Sequence, residues 1–438
     1  MVDQLQAVFA SARRIPASRG ILQARTGPSA DLLGQHVVLC HLQQEGITLE
    51  EVRADVAIIG GGVMGPSVAY HLRNLNLARD VVVFEQDPLH MHSSTGLSAG
   101  GIRQLFSTPA NIALARWSVE FYRRFPEVMA TAQGPGPDVG FRQNGYLFLL
   151  DKANESALLR RADYQEAHGV ELERLSPAQV KERYPELATD DLTGGIFGVE
   201  AGFLDPYQVM RGFTDKAREL GVRFVPEEAV AIETFQGRVQ AVSSANVRVQ
   251  ADVVVNAAGA WAGKVGRLAG VDVPIVPKAR QIYICDVPED RFGNYPLTVD
   301  PTGFYFRPEA GGRVLCGKAF DDDPEDFVWD WNRGLFQDAI WPDLATRVPM
   351  LERLHLGNGW CGLYEVTPDD NAIIGPHPDL RGFQIIAGFS GHGMMQGPAA
   401  GLALAEIIGH GAARSVDVEG LDLARFAEGR LIQEDAVV

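Results

Sequence analysis

Four cysteines in 438 residues, far apart at Cys40, Cys285, Cys316 and Cys361, form no Cys-x-x-Cys pair. A disulfide framework and a zinc site both lack their ligands, so no metal is expected. Such sparse usage fits a reducing compartment. Basic residues are also in deficit: 39 Lys and Arg face 56 Asp and Glu, a formal charge of −17, with no cationic run longer than two. Phosphate backbones demand clustered cations, so no nucleic-acid partner is expected. No apolar run reaches the ~20 residues that span a bilayer. The nearest, residues 397–409, is short, holds Glu406 and reads as a buried helix.

What is present is ordinary globular composition, 46% apolar and 22% charged, in a chain long enough for two domains. Residues 1–30 carry Arg13, Arg14, Arg19 and Arg25 against Asp3 alone. That bias resembles a mitochondrial transit peptide, although an ordinary N-terminal extension is the simpler reading. A cytoplasmic location is expected, with the mitochondrial matrix as the alternative.

Val56-Ala57-Ile58-Ile59 is an all-apolar run of the kind buried on both faces of a parallel sheet. It ends in Gly60-Gly61-Gly62-Val63-Met64-Gly65, a G-x-G-x-x-G at a helix start, and residues 81–84 form a second apolar run. In such a β-α-β unit Gly60 permits the tight turn. Gly62 lets a pyrophosphate approach the backbone, and Gly65 seats the helix against the sheet. Val63 and Met64 stand at the helix N-terminus, whose N–H groups and positive dipole end favour phosphate. Glu85, 20 residues after Gly65, can accept both hydroxyls of an adenosine ribose. An ADP moiety is therefore expected here. FAD and NAD both carry one, but a second fingerprint, which a separate NAD-binding fold needs, is absent.

Residues 222–225, 252–255 and 383–387 repeat the parallel-strand pattern far along the chain. Residues 145–150 read as a strand and 152–168 as a charged amphipathic helix. Residues 280–285, 303–307 and 313–317 read as antiparallel strands rich in Tyr, Phe and Ile. The expected fold is α/β: a doubly wound, Rossmann-like domain interleaved with a mixed antiparallel-sheet domain.

Three further segments narrow the reading. The first is Ser93-Ser94-Thr95-Gly96-Leu97-Ser98-Ala99-Gly100-Gly101-Ile102-Arg103, and the second Asn256-Ala257-Ala258-Gly259-Ala260-Trp261. The third is Gly388-Phe389-Ser390-Gly391-His392-Gly393-Met394-Met395. With Thr367-Pro368-Asp369 and Ile373-Ile374-Gly375, they resemble the FAD-dependent glycine/D-amino-acid oxidase-like (DAO) family. Sarcosine oxidases and dimethylglycine dehydrogenases belong to it, and the resemblance covers residues 54–412. It implies FAD and hydride transfer from the carbon beside a nitrogen, and Gly362 at the position where some relatives carry the attaching cysteine makes noncovalent FAD the expectation. The implied substrate is a secondary or tertiary amine or an amino acid of N-methyl type. A dehydrogenase is favoured over an oxidase, and the electron acceptor stays open. The implied FAD-binding domain comprises residues 54–115, 200–270 and 355–412, and the substrate domain 116–199 and 271–354. Residues 1–53 are then an extension and 413–438 a C-terminal tail.

The same resemblance implies site residues. Ser94, Thr95, Ala99 and Gly100 would let backbone pass close to the cofactor. Ala258, Gly259 and Trp261 would turn beside its ADP part, and Val230 would border the adenine. Gly391, His392, Gly393 and Met394 would bring a helix N-terminus to the pyrimidine end of the flavin. Arg103 matches a carboxylate-gripping arginine, Tyr364 an active-site tyrosine, and His392 belongs to the catalytic set. Gly362 stands where some relatives attach FAD through cysteine, with Cys361 next to it. Met395 replaces a substrate-binding lysine of the monomeric sarcosine oxidases, which argues against sarcosine itself. Matching on Gly311-Gly312 puts Cys316 where a lysine assists reaction with oxygen. Lys318, two residues on and so on the same strand face, is the substitute if the strand is shifted. Strand position adds Gln281, Tyr283, Tyr305 and Arg307 as pocket candidates. The stretch from Ser98 through Phe106 and the Met-Met pair also resemble a branch involved in respiratory complex I assembly. That leaves an assembly or chaperone-like protein with little turnover as the alternative function.

Overall fold

The computed structural model describes residues 49–289 and 291–434. The arginine bias of residues 1–30 and Cys40 lie outside them. Among the described residues no helix is long and apolar enough to cross a membrane.

Strand Glu50–Ile59 lies inside a sheet ordered Ile373–Pro376, Phe383–Ala387, Val247–Asn256, Glu50–Ile59, Val81–Phe84, Arg223–Val225. Along this order the pairings after the antiparallel first one are parallel, while Arg238–Ser243 pairs antiparallel with Val247–Asn256 and with Ala231–Phe235. Alternation explains its burial. Val56, Ile58, Val81, Val83 and Val255 enter one core, whereas Ala57, Ile59, Val82, Phe84 and Val254 enter another. Both faces of the sheet are thus covered, which is why its strands read as unbroken apolar runs. Helices Met64–Asn74, Pro109–Arg123, Pro206–Glu219 and Gly393–His410 cover the first face. Helix Ala262–Leu268 covers the second.

The other large sheet runs His355–Val366, Val276–Asp286, Arg313–Lys318, Phe304–Glu309, Leu297–Val299, Tyr146–Leu150, Gly194–Gly198, Leu172–Leu175. It is antiparallel except where Leu297–Val299 lies parallel to Tyr146–Leu150. One of its faces packs Tyr283, Phe304 and Phe306 against Phe336, Ile340 and Leu344. The opposite face looks toward the first domain. The expected α/β architecture, with a mixed second sheet, is what the chain forms.

Element membership differs from the expected partition at four places. Strand Glu50–Ile59 begins inside the presumed extension 1–53. Helix Pro109–Arg123 continues past residue 115 and sends Val119 and Tyr122 into the first domain's core. Strand His355–Val366 joins the second sheet, although residues 355–412 were assigned to the FAD-binding domain. The presumed tail 413–438 sends Val416 and Leu421 into one core and Leu423 into the other. The reason is general: a strand's composition marks the element but not which sheet it pairs with.

Candidate active site

A cleft opens at the carboxyl ends of the parallel strands, beside Ile59, Phe84 and Ala257, and extends to Arg280, Ile282 and Tyr305 of the second sheet. Ligands of open α/β sheets bind outside these strand ends.

The glycine loop forms one end. Gly60 has φ +114°, and a Cβ there would stand 2.2 Å from the Ala257 carbonyl oxygen. A Cβ at Gly65 would stand 1.9 Å from the Gly60 oxygen, so the helix rests directly on the loop. At Gly62 a side chain would meet Thr95 Oγ1 at 3.2 Å, and the Val63 N–H donates to that hydroxyl at 3.0 Å. Helix Met64–Asn74 has no side-chain cap and no acid in its first turn. Its positive end therefore meets the cleft without a cap or an acid from its own first turn. The Glu85 carboxylate accepts the Gly61 and Asp87 N–H groups, each at 2.6 Å. Burial raises its pKa, and these backbone bonds oppose the rise.

The other end is built on Tyr364 and the turn at residues 391–393. Gly391 has φ +92°, and a Cβ there would lie 2.4 Å from Tyr364 Cε2, so the tyrosine ring lies flush on the turn. His392 begins helix Gly393–His410, which likewise has no side-chain cap and no first-turn acid. The His392 ring stands edge-on to Phe106 at 5.0 Å. Burial, then the charge of Arg103, holds its pKa well below the ordinary value, so the imidazole is neutral. Arg103 is 1% exposed. It donates to the Leu105 carbonyl, and its guanidinium lies 4.4 Å from the Phe106 ring centre and 5.9 Å from that of Tyr146. Three phenols line the same chamber. Burial pushes the pKa of Tyr146 up to about 12 and raises those of Tyr305 and Tyr364, so all remain O–H donors.

Of the residues expected from the glycine loop and from the resemblance, all line this cleft except Gly65, Gly100, Val230 and Lys318. Gly65 acts from beneath the loop. Gly100 seats the neighbouring chain, since a Cβ there would be 2.2 Å from the Leu204 oxygen. Val230 gives its N–H to the Ser243 carbonyl at 2.8 Å, and its predecessors Glu228 and Ala229 line the cleft instead. Lys318 is paired with Asp343 at 2.9 Å. Cys316 is buried with Cys285 and Phe336 in the core behind the sheet. The two do share a face, but it is the face turned from the cleft. Gly317 points inward, and a Cβ there would strike Tyr305 Oη at 2.6 Å.

The same parity corrects the other strand guesses. Arg280 and Ile282 line the cleft, whereas the Tyr283 hydroxyl donates to Gln281 Oε1 at 2.8 Å on the opposite face. Tyr305 is at the wall as expected, and Arg307 lies behind it, its Nε donating to the Ala99 carbonyl at 2.8 Å. Sequence reading also missed Tyr146, Leu297, Lys264 and Glu365. None carries a motif, and only the packing of distant strands and of helix Ala262–Leu268 brings them together.

The donor set suits FAD. A loop without side chains, a free helix end and a ribose-competent carboxylate stand at one end of the cleft. At the other stands a second free helix end, and two buried atoms of cleft-lining residues, Ser94 Oγ and His392 Nε2, have no hydrogen-bond partner among the described residues. Such atoms are costly unless a ligand satisfies them. Among the described residues no cluster of His, Cys, Asp and Glu could hold a metal ion.

Residues 55–407 match the family model described as FAD dependent oxidoreductase. "FAD-dependent oxidoreductase domain-containing protein 1" of Bos taurus is 33% identical over 424 residues, covering 88% of this chain and 87% of that protein. "Sarcosine dehydrogenase, mitochondrial" of Mus musculus is 32% identical over 391 residues, 85% of this chain and 41% of that protein. Among solved structures, L-proline dehydrogenase from P. horikoshii superposes with a TM-score of 0.79 at 28% identity, covering 88% of this chain and 100% of that one.

Proposed function

The chain belongs to the FAD dependent oxidoreductase family, and from that premise we propose that it oxidises the C–N bond of a secondary or tertiary amine or amino acid, of N-methyl type, as a dehydrogenase. The reading is carried by Arg103, a buried cation in the same cleft as Tyr364 and the turn at residues 391–393. Bound FAD supplies the two-electron acceptor for a hydride. The side chains supply position. Arg103 offers a planar fork to a substrate carboxylate. Tyr146, Tyr305 and Tyr364 offer neutral hydroxyls, and His392 orients by hydrogen bonding rather than by charge. Apolar lining by Leu297 and Met395 penalises an ammonium and so favours the neutral amine that can lose hydride.

Two finer points follow. Gly317 and Tyr305, rather than a cation, occupy the inward side of strand Arg313–Lys318, which supports an electron acceptor other than oxygen. Cys361 packs with Ala260, Ala279 and Leu363, and the cleft-lining residue beside it is Gly362; this supports noncovalent FAD. The test is anaerobic exposure of the purified yellow protein to N-methyl amino acids, proline and other secondary amines. Loss of the flavin's visible absorbance is expected with at least one. A flavin that dithionite reduces but no amine bleaches would overturn the proposal. It would favour the second reading, a flavin-holding assembly protein, which the existing hydrogen bond and ring stacking of Arg103 also suit.

A further inference from the structure

Glu365, on strand His355–Val366, places a carboxyl on the cleft wall and is only 9% exposed. Its Oε2 accepts the Gly388 N–H at 2.9 Å, and the Phe389 N–H bonds it as well. Both belong to the loop that leads to Gly391. On the other side, a Cβ built at Gly259 would stand 3.7 Å from the same oxygen. Glu365 is therefore wedged between the turn expected beside the ADP part and the turn expected beside the flavin. Gly259 leaves the space before it open.

Among the described residues no cation pairs with it: Lys264, which lines the same cleft, lies over the Phe327 ring at 3.6 Å. Across the strand pair it faces Pro277. Lys278 on that strand reaches the Asp321 carbonyl at 3.0 Å and Glu325 at 4.0 Å, and Arg280 is committed to Asp323. The turn at residues 256–261 holds no titratable side chain, and the loop at 387–391 adds the Ser390 hydroxyl alone. Burial raises the carboxyl's pKa to about 7, and the Gly388 and Phe389 N–H groups oppose it. A pyrophosphate entering the same cleft brings further negative charge. An ionised carboxylate on that wall would repel it, whereas a carboxylic acid can donate a hydrogen bond.

We propose that Glu365 is a cofactor-binding residue that meets FAD as the neutral acid near the middle of the dinucleotide, so that FAD binding takes up a proton. The proposal rests on the FAD reading above. Its test is titration of apoprotein with FAD, followed by flavin fluorescence, from about pH 6 to about pH 8.5. The sign follows from the raised pKa: the acid form dominates below it, so native affinity is full at the low end. It then weakens about tenfold per pH unit above about pH 7. Glu365→Gln keeps a carbonyl for the Gly388 N–H and should bind FAD with a Kd that is flat across the range. In weakly buffered native protein at about pH 8, close to one proton per FAD should disappear from solution, a readout that needs no variant. A flat native profile, absent proton uptake, or a variant with the native slope would each overturn the proposal. Failure of the native protein to bind FAD at any pH would instead overturn the cofactor reading.

Discussion

Arg103 keeps its charge in a dry chamber because the guanidinium is weakly hydrated and can stack on Phe106 while donating in plane. Lysine has the charge without the plane. Arg103→Lys should therefore raise KM about 10- to 100-fold for the amine that bleaches the flavin, the loss of one charge-assisted hydrogen bond. The change in kcat should be smaller. Steady-state kinetics with an artificial electron acceptor measure both, and an unchanged KM would remove Arg103 from substrate binding. Arg103 and Tyr364 were legible because they stand beside recognisable small-residue motifs. Arg280 and Ile282 were not. In strand Val276–Asp286 the residues from 282 to 285 are all buried, so no polar alternation reveals which face meets the cleft.

The two helices whose free ends serve the cleft are bolted together. A Cβ at Gly401 would stand 2.1 Å from Ser67 Oγ, and that hydroxyl donates to the Gly397 carbonyl at 3.0 Å. Within helix Gly393–His410, Pro398 lacks the N–H that would bond the Met394 carbonyl. The Tyr122 hydroxyl, from helix Pro109–Arg123, fills that role at 2.6 Å. Tyr122→Phe should strand a buried carbonyl at the cleft and destabilise the fold by about 1–2 kcal/mol in chemical denaturation. Unchanged stability would show that the carbonyl finds another donor. The apolar run of this helix was plain from sequence. Its tolerance of an interior proline was not, since the rescuing hydroxyl stands 272 positions away. At the glycine loop the roles could be assigned in advance. Gly62→Val should yield folded protein that lacks flavin, checked by absorbance after purification; full occupancy would contradict the placement of the phosphates.

The chain closes on itself through its last described segment. Arg425 meets Asp369 with paired bonds of 2.8 and 2.9 Å, both side chains fully buried. Glu434 accepts the Ser107 N–H at 2.9 Å and the Asn111 amide at 2.9 Å. Residues 416–434 thus tie the Thr-Pro-Asp motif to the helix that follows Arg103. Arg425→Ala leaves a buried carboxylate without its counter-ion and should cost about 3–5 kcal/mol, seen as a lowered denaturation midpoint. A loss below ~1 kcal/mol would mean that Asp369 is solvated or neutral in the variant.

The glycine loop and the acid that flanks it could be read from the chain directly, because backbone shape decides them. Glycines at one strand–helix junction and an acid at the next strand's end are contiguous features with a local cause. The family followed in the same way, from short segments in order. The face each strand presents, the sheet that claims residues 355–366, and the meeting of Glu365 with Gly388 or Arg425 with Asp369 came from packing across the whole chain. A sequence records the period of burial along an element, and when both faces are covered that period no longer says which neighbour each side chain will find.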